Sequence, residues 1–242
     1  MTARRRPPTA SDEGMSVVEM LVACGLFVVL TTMISAIAIL SLRTATGMEA
    51  RLDNSIQGNA GMAAAGKILR TAVLPDQLDN QACTNCADTA IVQASTTLIT
   101  FYANLDNTGQ GPSLVTLEVL QDPHTPGSGI LRQTRIPPTP VAGGGYRFCT
   151  RATDATCTVD PDVRTLARGL VWPTAAVFGY YDFDGALITG TTLTTDNLPR
   201  ISSIDVVVRT RTQPGRTDVP TVTTVQRVRL PNADINLLVQ PT

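Results

Sequence analysis

One stretch near the start of the chain, residues 14–42, decides the fold: GMSVVEMLVACGLFVVLTTMISAIAILSL. From residue 15 onward this stretch contains a single carboxylate and no basic residue. About 20 apolar residues are enough for a helix to cross a bilayer, so residues 15–42 predict a membrane-spanning helix. Three basic residues precede it, Arg4, Arg5 and Arg6. They predict that the amino terminus stays in the cytoplasm and that the rest of the chain lies outside.

The boundary between the polar start and the apolar run differs from that of an ordinary secretory signal. Residues 1–14 are polar, basic at the front and contain two prolines, which predicts a leader that is not part of a packed fold. A secretory signal has an apolar region of only about 7–15 residues and ends in small residues. Here the carboxylate of Glu19 lies five residues into the apolar run. Such a residue costs about 2.5–3.5 kcal/mol on insertion scales and usually has a partner.

Gly14, an apolar Met15, Glu19 and the unbroken apolar run together resemble the class III signal of type IV prepilins and type II secretion pseudopilins. The resemblance implies that a prepilin peptidase cuts between Gly14 and Met15 and that the new amino terminus is N-methylated. Met15 stands where Phe is commoner in that family. The resemblance also implies that Glu19 pairs with the terminal amine of a neighbouring subunit, so that two groups costly in lipid offset each other. The alternative is a signal anchor on an unrelated extracytoplasmic domain.

The sequence beyond residue 42 predicts a helix that continues over 43–74 and ends at Pro75. Apolar residues recur there at helical spacing, interrupted by Gly47, Gly58, Gly61 and Gly66. Each glycine weakens a helix by about 1 kcal/mol relative to alanine, and close packing against a head domain is the simplest reason to have them.

Residues 75–242 predict a β-rich head, because Thr, Val, Pro and Gly are abundant after residue 85. Strands are expected over 90–102, 114–120 and 130–136, and two longer ones over 201–212 and 219–230 form a hairpin. The predicted fold class is α+β, pilin-like, with a long hydrophobic helix packed on an antiparallel sheet.

The late part of the head is similar to the large minor pilins and minor pseudopilins of the PilW and GspJ type. The similarity rests on RTLARGLVW, VFGYYDFDGAL, PRISSIDVVVRTRT and TVQRVRLPN, which lie in this order between residues 164 and 232. Pro231 separates Arg229 and Leu230 from Asn232, a departure from the Arg-Asn-containing closing strand of that group. The similarity implies a minor, tip or priming subunit.

Four cysteines lie outside the apolar run, Cys83, Cys86, Cys149 and Cys157. An even number in an exported domain predicts disulfides with three possible pairings, of which the local bridges Cys83–Cys86 and Cys149–Cys157 are favoured. A zinc site is the alternative, because CxxC is a metal-ligand spacing. The second pair is too widely spaced for it.

Acidic turns and the single histidine are the remaining candidates for a metal or catalytic site. Asp182 and Asp184 in YYDFDG are weak calcium candidates, as are Asp106 and Asn107, but neither segment has the full ligand series. Turn formation explains both. His124 lies in a Pro/Gly turn and gives no Ser-His-Asp arrangement. No cofactor and no enzymatic activity are therefore expected.

Arg209, Arg211, Arg227 and Arg229 alternate with apolar residues on the two last strands and could share one face. The hypothesis is that this face binds an acidic partner subunit, or the phosphates of DNA if the filament serves uptake. A solvated strand face is the alternative. The formal net charge of −1 and the 4% aromatic content give no general support for nucleic-acid binding.

These predictions combine into one function: a structural subunit, anchored as a single-pass protein in the cytoplasmic membrane with its head outside, that joins a pilus or secretion filament. Its expected partners are other pilin or pseudopilin subunits, the prepilin peptidase, the inner-membrane assembly platform and, before assembly, membrane lipid. The competing function is an anchored binding or enzyme domain that never polymerises. The competing protein would not be processed at Gly14 and would be indifferent to substitution of Glu19.

Overall fold

A computed structural model describes residues 16–77, 83–105, 111–157, 159–173, 176–211, 215 and 220–233. The chain divides into two compact units, Met1–Met48 and Glu49–Thr242. The first unit contributes the start of a single long helix, and the second contains the end of that helix together with the β-rich head.

Helix α1 runs from Val17 to Leu69, a length of 53 residues, and includes the whole apolar stretch. Its end lies five residues before the predicted end at residue 74. There the backbone N–H of Ala72 bonds to Leu69 O at 3.1 Å in a tighter turn, and the N–H of Val73 bonds to Tyr102 O at 3.0 Å. The chain therefore leaves the helix to pair with a strand before Pro75 is reached, and Pro75 instead begins a short 3-10 helix, Pro75–Gln77.

Eleven strands are found in the described part of the chain. In chain order they are β1 (Ile91–Ala94), β2 (Leu98–Ala103), β3 (Ser113–Gln121), β4 (Ser128–Ile136), β5 (Thr139–Pro140), β6 (Tyr146–Arg147), β7 (Asp162–Val171), β8 (Phe178–Tyr181), β9 (Leu187–Ile188), β10 (Ser203–Thr210) and β11 (Val222–Arg229). A second 3-10 helix, Thr195–Arg200, precedes β10.

Nine of these strands form one antiparallel sheet, in which β1, β2, β3, β4 and β7 pair in that order. Strands β7 and β8 both pair with one edge of β10, at different points along it, and β9 lies beyond β8. Strand β11 pairs with the other edge of β10. This confirms the α+β architecture and the hairpin predicted over 201–230. The single strand predicted over 90–102 was wrong: it is two strands, β1 and β2. The hydroxyl of Ser95 accepts the backbone N–H of Leu98 at 3.0 Å and so closes a turn between them.

The end of α1 forms one side of the core of the second unit. Its buried residues recur every three or four positions, as expected for one helix face: Ala50, Asn54, Gly58, Gly61, Met62, Ala65, Gly66, Ile68 and Leu69. Asn54 is completely buried, and its carbonyl accepts the hydroxyl of Thr210 at 2.8 Å. This face packs against β7, β10 and β11.

Three of the four glycines singled out in the helix lie on the packed face. A Cβ added to Gly61 would overlap the Cβ of Ala167 on β7, and one added to Gly58 or Gly66 would lie 3.2 Å from a side chain of β11. A Cβ added to Gly47 would meet nothing within 4 Å. Close packing is therefore confirmed as the reason for Gly58, Gly61 and Gly66, but not for Gly47.

Candidate functional site

The first part of α1 is apolar on all sides. Its large hydrophobic side chains are exposed, from 49% at Val29 to 81% at Val17. A helix that is hydrophobic all round is stable only inside a protein core or a bilayer. Residues 16–46 are all exposed, so the described part of the chain offers this segment no protein core. The helix is long and apolar enough to cross a membrane, as the sequence predicts.

Glu19 lies in the first turn of this helix, and Ser16 caps it. The backbone N–H of Glu19 donates to the Ser16 hydroxyl at 3.2 Å. The spacing Ser16-x-x-Glu19 is that of a capping box, and a carboxylate in a first turn interacts favourably with the helix dipole. Sequence reasoning missed this local role of Glu19, although the Ser-x-x-Glu spacing signals it. The predicted cleavage site, Gly14 and Met15, lies outside the described residues.

The four cysteines outside the apolar run form the two predicted local disulfides, Cys83–Cys86 and Cys149–Cys157, with Cα–Cα distances of 5.6 and 6.0 Å. Their sulfurs are bonded to each other, so the CxxC pair is a disulfide and not a set of zinc thiolates. The Cys83–Cys86 segment contacts the chain shortly before Cys149, because the backbone N–H of Thr84 donates to Tyr146 O at 2.8 Å. Phe148 packs there against Tyr102 and Tyr146.

Asp182 closes the turn between β8 and β9. Its Oδ1 accepts the backbone N–H groups of Asp184 at 3.1 Å and Ala186 at 2.8 Å, and its Oδ2 lies 3.4 Å from Arg200 Nη2. Both carboxylate oxygens of Asp182 thus already have donors, whereas Asp184 is exposed. Across the described residues, no three His, Cys, Asp or Glu side chains are grouped so that they could hold a metal ion. The other calcium candidates, Asp106 and Asn107, lie outside the described residues.

His124 belongs to the turn that follows β3. Its backbone N–H donates to Asp122 Oδ1 at 2.9 Å, and Asp122 Oδ2 lies 3.3 Å from Arg168 Nη1. The carboxylate is therefore held by a turn amide and an arginine. This part of the head is organised as a turn, as expected for a Pro/Gly-rich loop.

The strand register determines which of the four predicted arginines share a face. Ser203 lies opposite Arg229, Asp205 opposite Arg227 and Arg209 opposite Thr223. Residues that are directly opposite in an antiparallel pair point to the same face, so Arg209, Arg227 and Arg229 share the exposed face of the hairpin. Arg211 lies beyond the end of β10. Its Nε is buried and has no hydrogen-bond partner in the described part of the chain.

Arg227 differs from Arg209 and Arg229, because it is bound on two sides within the described part of the chain. Its Nε and Nη2 donate to Asp205 Oδ1 and Oδ2 at 2.7 and 2.9 Å, and its guanidinium carbon lies 3.8 Å from the centre of the Tyr181 ring. The hydrogen bonds from Arg227 lower the pKa of the Asp205 carboxyl, and Asp205 raises the pKa of Arg227. The charge of Arg227, one of the four arginines of the predicted partner face, is therefore neutralised within the chain.

Replacing Asp205 by Asn is expected to lower the Tm of the head by at most about 4 °C, because Arg227 is half exposed and solvent screens its attraction to Asp205. Since the pKa of Asp205 is lowered on folding, its stabilisation is present above the ordinary carboxyl pKa of about 3.9 and is lost as the pH falls through the lowered value. The Tm difference between the two proteins should therefore vanish in acid. Thermal unfolding in detergent, followed by circular dichroism between about pH 7 and pH 2, measures it.

The matched control is Asp162→Asn, which removes a more exposed pair in which Asp162 lies 2.8 Å from Arg164 on β7. It should change the Tm less than Asp205→Asn. An equal Tm loss for Asp205→Asn at neutral and acid pH would contradict the assigned ion pair.

The chain matches no protein-family model, and a search of curated proteins returned no match.

Proposed function

We propose that this protein is a structural subunit of the prepilin type, a minor pilin or pseudopilin of a type IV pilus or a type II secretion-like filament. One observation supports the proposal above all others. A single continuous helix of 53 residues begins with an apolar segment exposed on every side and ends as one wall of a disulfide-bonded antiparallel β head. The apolar segment contains one carboxylate, Glu19 in its first turn.

The physical role of the apolar segment follows from its two environments. Before assembly it lies in the lipid bilayer, and in a filament it packs against the equivalent helices of other subunits. Neither environment contains much water, so a charged group in it needs an opposite charge nearby. Cleavage after Gly14 exposes a positively charged amine at Met15. In this proposal that amine pairs with the carboxylate of Glu19 in a neighbouring subunit.

The head in this proposal lies outside the cytoplasmic membrane, where its disulfides persist. Its role is structural: it forms the outer surface of the filament, or primes its tip, and it needs no cofactor. The proposed partners are other pilin or pseudopilin subunits, the prepilin peptidase, the inner-membrane assembly platform and lipid before assembly. DNA is a partner only if the filament serves uptake. The similarity of the late head to the PilW and GspJ type supports a minor rather than a major subunit.

Co-expression with a prepilin peptidase should remove residues 1–14 and leave an N-methylated Met15. Intact-mass and amino-terminal peptide mass spectrometry of the membrane-extracted protein, with and without the peptidase, measure this directly. Gly14→Val should leave the chain uncut, because a side chain at the cleaved peptide bond would block access to it.

The matched control is Gly25→Ala, since a Cβ at Gly25 would meet nothing within 4 Å and this glycine lies within the apolar run. This variant should be cut like the unmodified chain. A chain that stays whole in the presence of active peptidase would contradict the proposal and favour an anchored domain that does not polymerise.

A further inference from the structure

Strand β11 lies at an open edge of the sheet. It pairs along its whole length with β10, from Ser203↔Arg229 to Thr210↔Val222, without a register shift. In the described part of the chain no strand pairs with the opposite edge of β11. An exposed edge strand readily accepts another strand, so natural edges are usually short or interrupted by a proline or a bulge. The edge of β11 has eight paired residues and neither interruption.

The ladder shows which backbone groups face the open edge. Val207 and Arg211 donate their N–H groups to Val177 and Gly169, on the side of β10 that is remote from β11. Residues directly opposite in an antiparallel pair either both bond across the pair or both point away from it. The partners of the odd-numbered residues of β10 therefore direct their N–H and C=O groups to the open edge: Thr223, Val225, Arg227 and Arg229.

The side chains along this edge favour a particular kind of strand. Val225 is 58% exposed and offers an apolar contact in the middle of the edge. Arg209 and Arg229 are exposed on the same face and have no ion-pair partner among the described residues. Arg227 is different, because it is already bound to Asp205. The open positive charges therefore complement a strand with carboxylates on both sides of an apolar residue.

We propose that β11 is a docking edge that adds an extended segment of a neighbouring protein subunit as a tenth strand of the sheet. On the face that meets the arginines, at every second residue of the segment, an apolar residue stands between two acidic ones. Backbone hydrogen bonds to the four odd residues of β11 supply affinity, and Val225, Arg209 and Arg229 supply selectivity. That the neighbour is a filament subunit rests on the proposed function, whereas the edge itself does not.

A peptide-binding experiment tests the edge without requiring cleavage or polymerisation. The full-length protein in detergent is titrated into a fluorescent peptide in which aspartate, valine and aspartate occupy every second position with threonine between them, and binding is followed by anisotropy. Saturable binding is expected, and the same peptide with lysine in place of aspartate should bind about tenfold more weakly. Absence of saturable binding of the acidic peptide would overturn the proposal even if residues 1–14 are cleaved normally.

Val225→Pro tests the backbone contribution. Proline removes the N–H that faces the open edge and leaves the ladder with β10 intact, since Val225 does not bond across that pair. Its affinity for the acidic peptide should fall about tenfold or more, as expected for at least one lost hydrogen bond together with a steric block. Val225→Thr keeps the N–H and the branched shape and loses only part of the apolar contact, so its affinity should fall much less than that of the proline variant. Equal affinity of the proline variant would contradict strand addition.

Hydrogen exchange of the unmodified protein provides a second measurement that needs no variant. On peptide binding, the amides of residues 223, 225, 227 and 229 should exchange at least tenfold more slowly, whereas those of 224, 226 and 228 are already bonded to β10 and should change little. Protection without this alternation, or no protection, would show that the peptide does not bind as a strand at β11.

Discussion

Replacing Glu19 by Gln should reduce incorporation of the subunit into filaments by about a hundredfold while leaving cleavage after Gly14 intact. In the proposed filament the amine at Met15 would lose its opposite charge, and an unpaired charged group in hydrocarbon costs about 2.5–3.5 kcal/mol on insertion scales. At about 1.4 kcal/mol per factor of ten, this penalty corresponds to the stated loss. Immunoblots of sheared filaments and of membranes, in cells that also express the peptidase, measure the two quantities separately.

Glu49→Gln is the matched control, because Glu49 is an exposed carboxylate on the same helix but outside the apolar run. It should assemble like the unmodified chain. Ser16→Ala separates pairing from helix capping, since it removes only the hydroxyl that accepts the Glu19 N–H. If Glu19→Gln assembles normally, or if Ser16→Ala fails as severely, the pairing role of Glu19 is wrong.

Replacing Gly61 by Ala should destabilise the head by about 1–3 kcal/mol and lower its Tm by roughly 2–12 °C. The new Cβ would overlap the Cβ of Ala167 on β7, and because a Cβ cannot rotate away from its own backbone, the helix or the strand would have to shift. Overpacking of a well-packed core has this magnitude and exceeds the gain in helix propensity, which is at most about 1 kcal/mol. Thermal unfolding in detergent, followed by circular dichroism, measures the change.

Two further variants make this test specific to the contact. Gly47→Ala adds the same methyl group to the same helix where nothing lies within 4 Å, and it should leave the Tm unchanged or raise it. Ala167→Gly restores the space, so the double variant should be more stable than the sum of the two single changes predicts. Additive effects of Gly61→Ala and Ala167→Gly would contradict the close approach.

The features that could be predicted from the sequence depend on short-range patterns. The apolar run, the Cys83–Cys86 and Cys149–Cys157 disulfides, and the hairpin of β10 and β11 each involve neighbours in the chain or a single periodicity. Glycine in a helix needs a compensating reason, so the sequence predicts close packing at all four helix glycines. The prediction holds at Gly58, Gly61 and Gly66 but not at Gly47. Which strand they touch did not follow from the sequence.

The features that could not be predicted depend on register between strands. Asp205 neutralises Arg227 only because the two lie directly opposite, and a shift of one residue would place them on different faces. Likewise, the helix ends at Leu69 because residue 73 pairs with Tyr102, which is far along the chain. The signal for the Asp205–Arg227 pair was nevertheless present, as opposite charges on two strands of one predicted hairpin.

The sequence by itself determined that this protein has a long apolar helix able to cross a membrane and a β-rich, disulfide-bonded head. Each of these features follows from a pattern among near neighbours in the chain: the length of an apolar run, the period of apolar residues and the spacing of two cysteines. Only the tertiary structure decided where the helix ends, which arginines lack an ion-pair partner among the described residues, and that the described strands leave one edge of β11 unpaired. These depend on pairings between distant residues, whose register is selected by the packing of the whole sheet and not by any local segment.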